Sequence, residues 1–190
     1  MLASQAMWGD AGGMTEPTAP VSALPAGPSP YFLDDGTGDK LVLFDQLFTL
    51  LTTSPQTGGE FDAFLTEGRP GQAVPPHFHA KTHETFFVLE GAIRLWMDDR
   101  QGRRETRILE AGAFGYVPRD TIHSYRIERT GKIFGVTSGG FSDYFRAVAR
   151  PTDKPGIPEP AEFHIPSFEE MARQGAQHDV NFVAGYELFD

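Results

Sequence analysis

The chain has 190 residues, with 26 acidic against 16 basic side chains, a formal net charge of -10 and a sequence pI near 5.0. Phosphate backbones and anionic membrane surfaces would repel such a surface, which excludes nucleic acid and membrane as expected partners. There is no cysteine, so neither a disulfide framework nor a thiolate metal site can form, and any metal must be held by imidazole and carboxylate.

The length suits one domain with a good core and short arms, and no internal repeat is present. Residues 1–30 contain five prolines and no Lys or Arg. They lack the basic start of a secretory signal and the arginines of a mitochondrial presequence, and are expected to form a flexible or docked arm on a cytoplasmic protein. Leu41–Leu51 and Glu60–Gly68 are apolar, aromatic runs separated by Ser54, Pro55, Gly58 and Gly59, predicting two strands joined by a turned loop. Neither run approaches the roughly 20 apolar residues of a membrane span.

In Gly71–Gly91, His77 and His79 stand two residues apart and Glu84 follows in a segment that alternates like a strand. Side chains two apart on a strand share a face. Imidazole nitrogens and a carboxylate oxygen on one inward face suit a borderline divalent metal such as Mn, Fe, Co, Ni, Cu or Zn. Gly112–Ile127 supplies His123 in extended, aromatic-rich sequence as a fourth ligand. Between these stretches Ala92–Asp98 continues as a strand, Asp98–Gly102 turns, and Thr106–Leu109 returns. Ile122–Glu128 and Ile133–Thr137 read as a hairpin around Thr130 and Gly131. Short strands spaced by Gly and Pro predict an all-β antiparallel sandwich or barrel.

Two helices are expected after the strands. Ser142 would cap one that ends before Pro151. Ser167 and Glu170 form a capping box ahead of Met171 and Ala172, with Phe168 and Met171 as core contacts. His83, His164 and His178 read as ordinary structural or exposed histidines, His83 facing away from Glu84. Alternation from Glu84 turns Phe86 and Val88 inward, and alternation from His123 turns Tyr125 and Ile127 inward. Phe86 and Tyr125 are the candidate aromatic wall of a substrate slot. Three imidazoles and a carboxylate leave a divalent metal with positive charge and open positions. Glu84 could then serve both as ligand and as general base toward an acidic hydroxyl.

On these residues the chain resembles the cupins. Gly71, His77, His79, Glu84 and Gly91 fall at the intervals of cupin motif 1, and Gly112, Pro118 and His123 at those of motif 2. Asp120 stands where a glycine is usual and Ile127 where an asparagine is usual. The resemblance implies a single-domain cupin, a small antiparallel jelly-roll barrel over residues 31–140, with the N-terminal arm 1–30 before it. Residues 141–190 would follow as a helical and extended segment packed on the barrel.

The stretches Tyr31–Leu33, Gln46–Phe48 and Thr82–Glu84 are similar to the quercetinases, the flavonol 2,4-dioxygenases, and most to their small single-domain actinomycete form. That resemblance implies a planar flavonol such as quercetin and O2 as substrates, a depside and carbon monoxide as products, and Glu84 as the base for the 3-hydroxyl. The metal on His77, His79, Glu84 and His123 would be nickel by preference, with cobalt, manganese, iron or copper accepted by the same ligands. A homodimer is expected, with the arm held against the partner. The competing readings are a cupin dioxygenase on another phenol, a metal-dependent sugar isomerase, and a non-catalytic metal-binding sensor.

Overall fold

The computed structural model describes residues 22–190, so the part of the arm before Ser22 lies outside the described residues. From Ser22 the arm lies on its own chain. The Ser22 hydroxyl and the Ala23 N–H donate to the Asp39 carboxylate, and Leu24 is buried in the core.

Strand β1 (Asp39–Leu43) pairs with β2 (Gln46–Thr52) in register Leu43↔Gln46. The apolar run Leu41–Leu51, expected as one strand, is therefore a hairpin with a two-residue turn. Its first turn residue, Phe44, has φ 57. A bulky side chain rarely takes that backbone, and here it is pinned by a mutual pair with His164, N–H to carbonyl at 2.7 and 3.0 Å. After the one-turn helix α1 (Ser54–Thr57) comes β3 (Phe61–Gly68), then β4 (His77–Phe78) and the 15-residue β5 (Glu84–Asp98). Strands β6 (Arg104–Glu110) and β7 (Phe114–Val117) follow, then the 17-residue β8 (Ile122–Ser138). Helix α2 (Phe141–Val148), β9 (Arg150–Thr152), α3 (Phe168–Gly175) and β10 (Asn181–Phe182) complete the order. All pairs are antiparallel. The main path runs β10-β4-β8-β3-β2-β1-β9, with β5 paired to β6, β7 and β8.

The predicted hairpin around Thr130 and Gly131 is not formed. Residues 122–138 are one strand, paired with β5 from Glu84↔Thr137 to Asp98↔Ile122. The long ribbon folds over on itself instead of turning back. Register shifts gather between Val88 and Ile93, opposite Arg129–Lys132. There the two backbones press together. Gly91 has φ 75, and a Cβ on it would meet the carbonyl oxygens of Thr130 and Arg129; a Cβ on Gly131 would meet that of Glu90. Only glycine permits this approach. The fold brings Phe86 and Tyr125 from different halves of the ribbon to a ring separation of 5.4 Å, inside a core shared with Val88, Ile93, Leu95 and Ile127.

Helix α2 starts two residues earlier than expected, with Gly140 rather than Ser142 as N-cap, at φ 88. Ser142 sits inside the first turn, and its N–H donates to the buried Asp62 carboxylate at 2.9 Å. Phe141, Tyr144, Phe145 and Val148 occupy one helical face and are buried; Phe145 lies 4.6 Å from Phe48 and 5.1 Å from Phe64, ring to ring. Each such side chain contributes roughly 1.5–3 kcal/mol when fully buried. The Ser167 hydroxyl caps α3 by accepting from Glu170 N–H. Met171 is buried as expected, but Phe168 is 52% exposed and touches only the edge of the core through Phe182. No helix among the described residues is long and apolar enough to cross a membrane.

Candidate metal centre

Strand pairing assembles the four predicted ligands. His77 on β4 is the register partner of His123 on β8. His79 lies just beyond β4, and Glu84 opens β5. Glu84 and His123 belong to opposite ends of the β5·β8 ribbon, and the fold at Gly91 closes the gap: Glu84 Oε2 is 2.9 Å from His123 Nε2 and 3.6 Å from His79 Nε2. One ligand atom from each of the four residues lies within 4.8 Å of the others, and all four side chains are buried.

The imidazoles are aimed by backbone carbonyls. Nδ1 of His77 is 2.8 Å from the Pro75 oxygen, Nδ1 of His79 is 2.7 Å from that of Asp179, and Nδ1 of His123 is 3.0 Å from that of Thr121. A carbonyl only accepts, so each Nδ1 carries a proton and each Nε2 is turned inward toward the Glu84 carboxylate. His79 Nε2 is buried with no hydrogen-bond partner, since 3.6 Å to Glu84 is too long for one. A buried, unpartnered imidazole nitrogen amid two more imidazoles and a carboxylate fits a divalent cation, which would take the place of any ring proton there.

The charge states of the group are set by burial and by one another. Burial, together with the His123 and His79 imidazoles, holds His77 well below its ordinary value, so it is neutral, the form that ligates. Burial alone would raise Glu84, but the neighbouring His123 and His79 outweigh it and hold the carboxyl well below the usual carboxylate range. Burial likewise lowers His79, and there the Glu84 carboxylate prevails and leaves it raised.

The turn before His123 shows how the motif-2 departures are absorbed. Asp120 has φ 62, the left-handed conformation for which glycine is the default and which Asp tolerates through its short polar side chain. Its N–H donates to the His79 carbonyl at 2.7 Å, tying the two motifs together. Ile127 points inward, 2% exposed, against Gly68.

The site opens into an apolar cavity of about 50 Å³, touched by Glu84, His77 and His123 and walled by aromatic rings. Phe86 and Tyr125 line it, as alternation predicts. The Tyr125 hydroxyl donates to Gln46 Oε1 at 2.6 Å, and burial, with the Glu84 and Asp45 charges, raises the phenol so that it stays protonated. His83 lies outside the cluster, its Nδ1 2.7 Å from the Tyr116 hydroxyl. Sequence reasoning missed two walls. Phe141, Tyr144 and Phe145 reach the cavity from α2, and Val180 and Phe182 from the C-terminal segment. The first could have been found from helical spacing after Gly140; the second carries no local pattern.

An antiparallel sheet folded around a buried His-His-Glu-His group defines an all-β cupin, and residues 64–134 match the family model described as the cupin domain. An RmlC-like cupin from Shewanella frigidimarina shares the fold at a TM-score of 0.52 and 17% identity, over 63% of this chain and 99% of that one. In sequence the chain is quercetinase-like. It is 36% identical to a quercetin 2,3-dioxygenase of Bacillus subtilis over 135 residues, 70% of this chain and 39% of that protein. It is 33% identical to a quercetin 2,3-dioxygenase of Aspergillus japonicus over 124 residues, 61% of this chain and 35% of that protein. The alignments thus span under two-fifths of either relative.

Proposed function

We propose that the protein is a metal-dependent flavonol dioxygenase that converts quercetin and O2 to a depside and carbon monoxide. The observation that carries this reading is the position of Glu84: ionised, one of four ligand-type side chains, and open to an apolar aromatic cavity. The similarity to two quercetin 2,3-dioxygenases supports the substrate class.

His77, His79, Glu84 and His123 would hold the ion, nickel by preference. When bound, the metal supplies Lewis-acid stabilisation of an oxyanion. The chain's own residues do the rest. Glu84 accepts the proton of the flavonol 3-hydroxyl on a carboxylate oxygen, making the electron-rich anion that reacts with O2. Phe86 and Tyr125 stack against the planar rings and hold the 3-oxygen toward the histidines. The apolar walls exclude water from the anion so formed.

A cavity of about 50 Å³ has room for only a few waters. A three-ring flavonol therefore requires side chains of α2 and the C-terminal segment to swing outward on binding. The same volume favours a second reading, a dioxygenase acting on a smaller phenol.

The deciding experiment is aerobic incubation with quercetin, following loss of the flavonol absorption band and release of carbon monoxide, with elemental analysis of the same sample. Bleaching with carbon monoxide release and about one metal per chain, the number a single four-ligand group holds, is expected. A filled site that leaves quercetin intact but consumes O2 with a smaller phenol would replace the first reading with the second.

A further inference from the structure

The three imidazoles are not oriented in the same way. His77 and His123 donate Nδ1–H to the carbonyls of Pro75 and Thr121, each two residues upstream. The chain just ahead of each strand aims them. His79 donates to the carbonyl of Asp179, which is 100 residues away in sequence and beyond the matched cupin domain.

Asp179 makes a second set of contacts with the same loop. Its Oδ1 accepts from Ala80 N–H at 2.9 Å, and its Oδ2 from Lys81 N–H at 2.7 Å and Thr82 N–H at 3.1 Å. Three successive backbone N–H groups thus converge on one carboxylate, an anion-binding nest filled from within the chain. That loop carries the backbone from His79 to Glu84, so the clamp sits between two of the four ligands. Asp179 has φ 60, which turns its carbonyl and its carboxylate toward one target. The residues after it are anchored. Val180 N–H donates to Gly175 O, β10 pairs with β4 at His77 and Phe78, and Val183 N–H donates to Pro76 O at 3.0 Å.

We propose that Asp179 is a positioning residue of the metal centre: its carboxylate holds the Ala80–Thr82 loop while its carbonyl fixes His79 with the proton on Nδ1 and Nε2 directed at the metal. This rests on the reading of the four side chains as a metal group and is independent of the substrate. The competing role is structural, a clamp that stabilises the fold without tuning the site.

The test compares the metal-free wild type with Asp179→Gly and Asp179→Asn. Glycine takes φ 60 without strain and removes only the carboxylate. Asparagine tolerates that backbone and keeps one oxygen for the loop. Each protein is titrated with nickel chloride by calorimetry, its histidine tautomers are read by nitrogen-15 NMR without metal, and its thermal unfolding is recorded. Groups that orient a metal-ligating histidine are typically worth 10–100-fold in affinity. Asp179→Gly is expected to bind nickel 10–100-fold more weakly and to lose the single Nδ1–H tautomer of His79, with partial recovery of both in Asp179→Asn. Wild-type nickel affinity and an unchanged His79 tautomer in Asp179→Gly, at whatever melting temperature, would overturn the proposal, as would a wild-type His79 whose only ring proton is on Nε2. A wild type that binds no nickel would overturn the metal reading itself, while the tautomer comparison still decides the clamp.

Discussion

Gly91→Ala should damage the metal centre from a distance, because Gly91 lies where the ribbon folds and touches no ligand. Glu84 and Met97, the β5 residue opposite His123, are 13 positions apart, about 40 Å along an extended strand. Yet Glu84 Oε2 is 2.9 Å from His123 Nε2. The ribbon can double back so sharply only if its strands nearly touch at the bend. An alanine Cβ at position 91 would stand 2.6 Å from Arg129 O and 2.7 Å from the Gly131 Cα, with Thr130 O also in the way. All three obstacles are backbone and cannot rotate aside. A left-handed alanine costs about 1–2 kcal/mol, and forcing the strands apart about 1–3 kcal/mol more. A loss of about 2–5 kcal/mol is therefore expected in urea unfolding of the metal-free protein. Nickel affinity should fall more than tenfold, because widening the bend separates Glu84 from His123. Gly58→Ala is the control. Gly58 has φ 66 with nothing near its virtual Cβ, so it should lose about 1–2 kcal/mol and keep its nickel affinity. If Gly91→Ala unfolds no more easily than Gly58→Ala and binds nickel like the wild type, the close approach at Gly91 is not what closes the site.

Glu84→Ala should lose about 10²–10⁴-fold in quercetin turnover even where elemental analysis finds metal kept by the three histidines; an active, metal-loaded variant would refute the role as base. Asp39 gives a pH dependence. Its burial favours the neutral acid, but Arg146, Ser22 and the Ala23 N–H outweigh burial and lower its pKa. A carboxyl lowered on folding stabilises the native state fully above its unfolded value of about 4 and loses that contribution as the pH falls through the lower folded value. Asp39→Asn should therefore lower the urea midpoint at pH 7 and pH 5, by an amount that shrinks as the pH falls below about 4. A difference that does not shrink on acidification would show that charge is not the cause.

The metal group was legible because ligation demands particular residue types at fixed intervals on one strand face, and His77, His79, Glu84 and His123 have no apolar substitutes for that task. Phe86 and Tyr125 followed from alternation alone. The same rule misread residues 122–138, since Thr130 and Gly131 look like a turn whether the strand reverses or bends. What distinguishes the cases is Gly91 on the partner strand, a pairing that local pattern does not contain. The turn at Phe44 carries no Gly, Asn or Asp at its strained position; His164, distant in sequence, holds it. Asp179 escaped notice for a related reason. A single aspartate near Gly175 is unremarkable until tertiary structure places its carbonyl under His79.

The folded ribbon also bears on the order in which the protein forms. Glu84 and His123 are 39 residues apart, and a complete β5·β8 pairing would still leave them at opposite ends of a long duplex. Only the bend at Gly91 unites them. Because the site exists only when pairing and bend are both in place, a bound ion is expected to act mainly on the native side of the folding barrier. Nickel should then leave the refolding rate nearly unchanged and slow unfolding, lengthening the lifetime of the native chain.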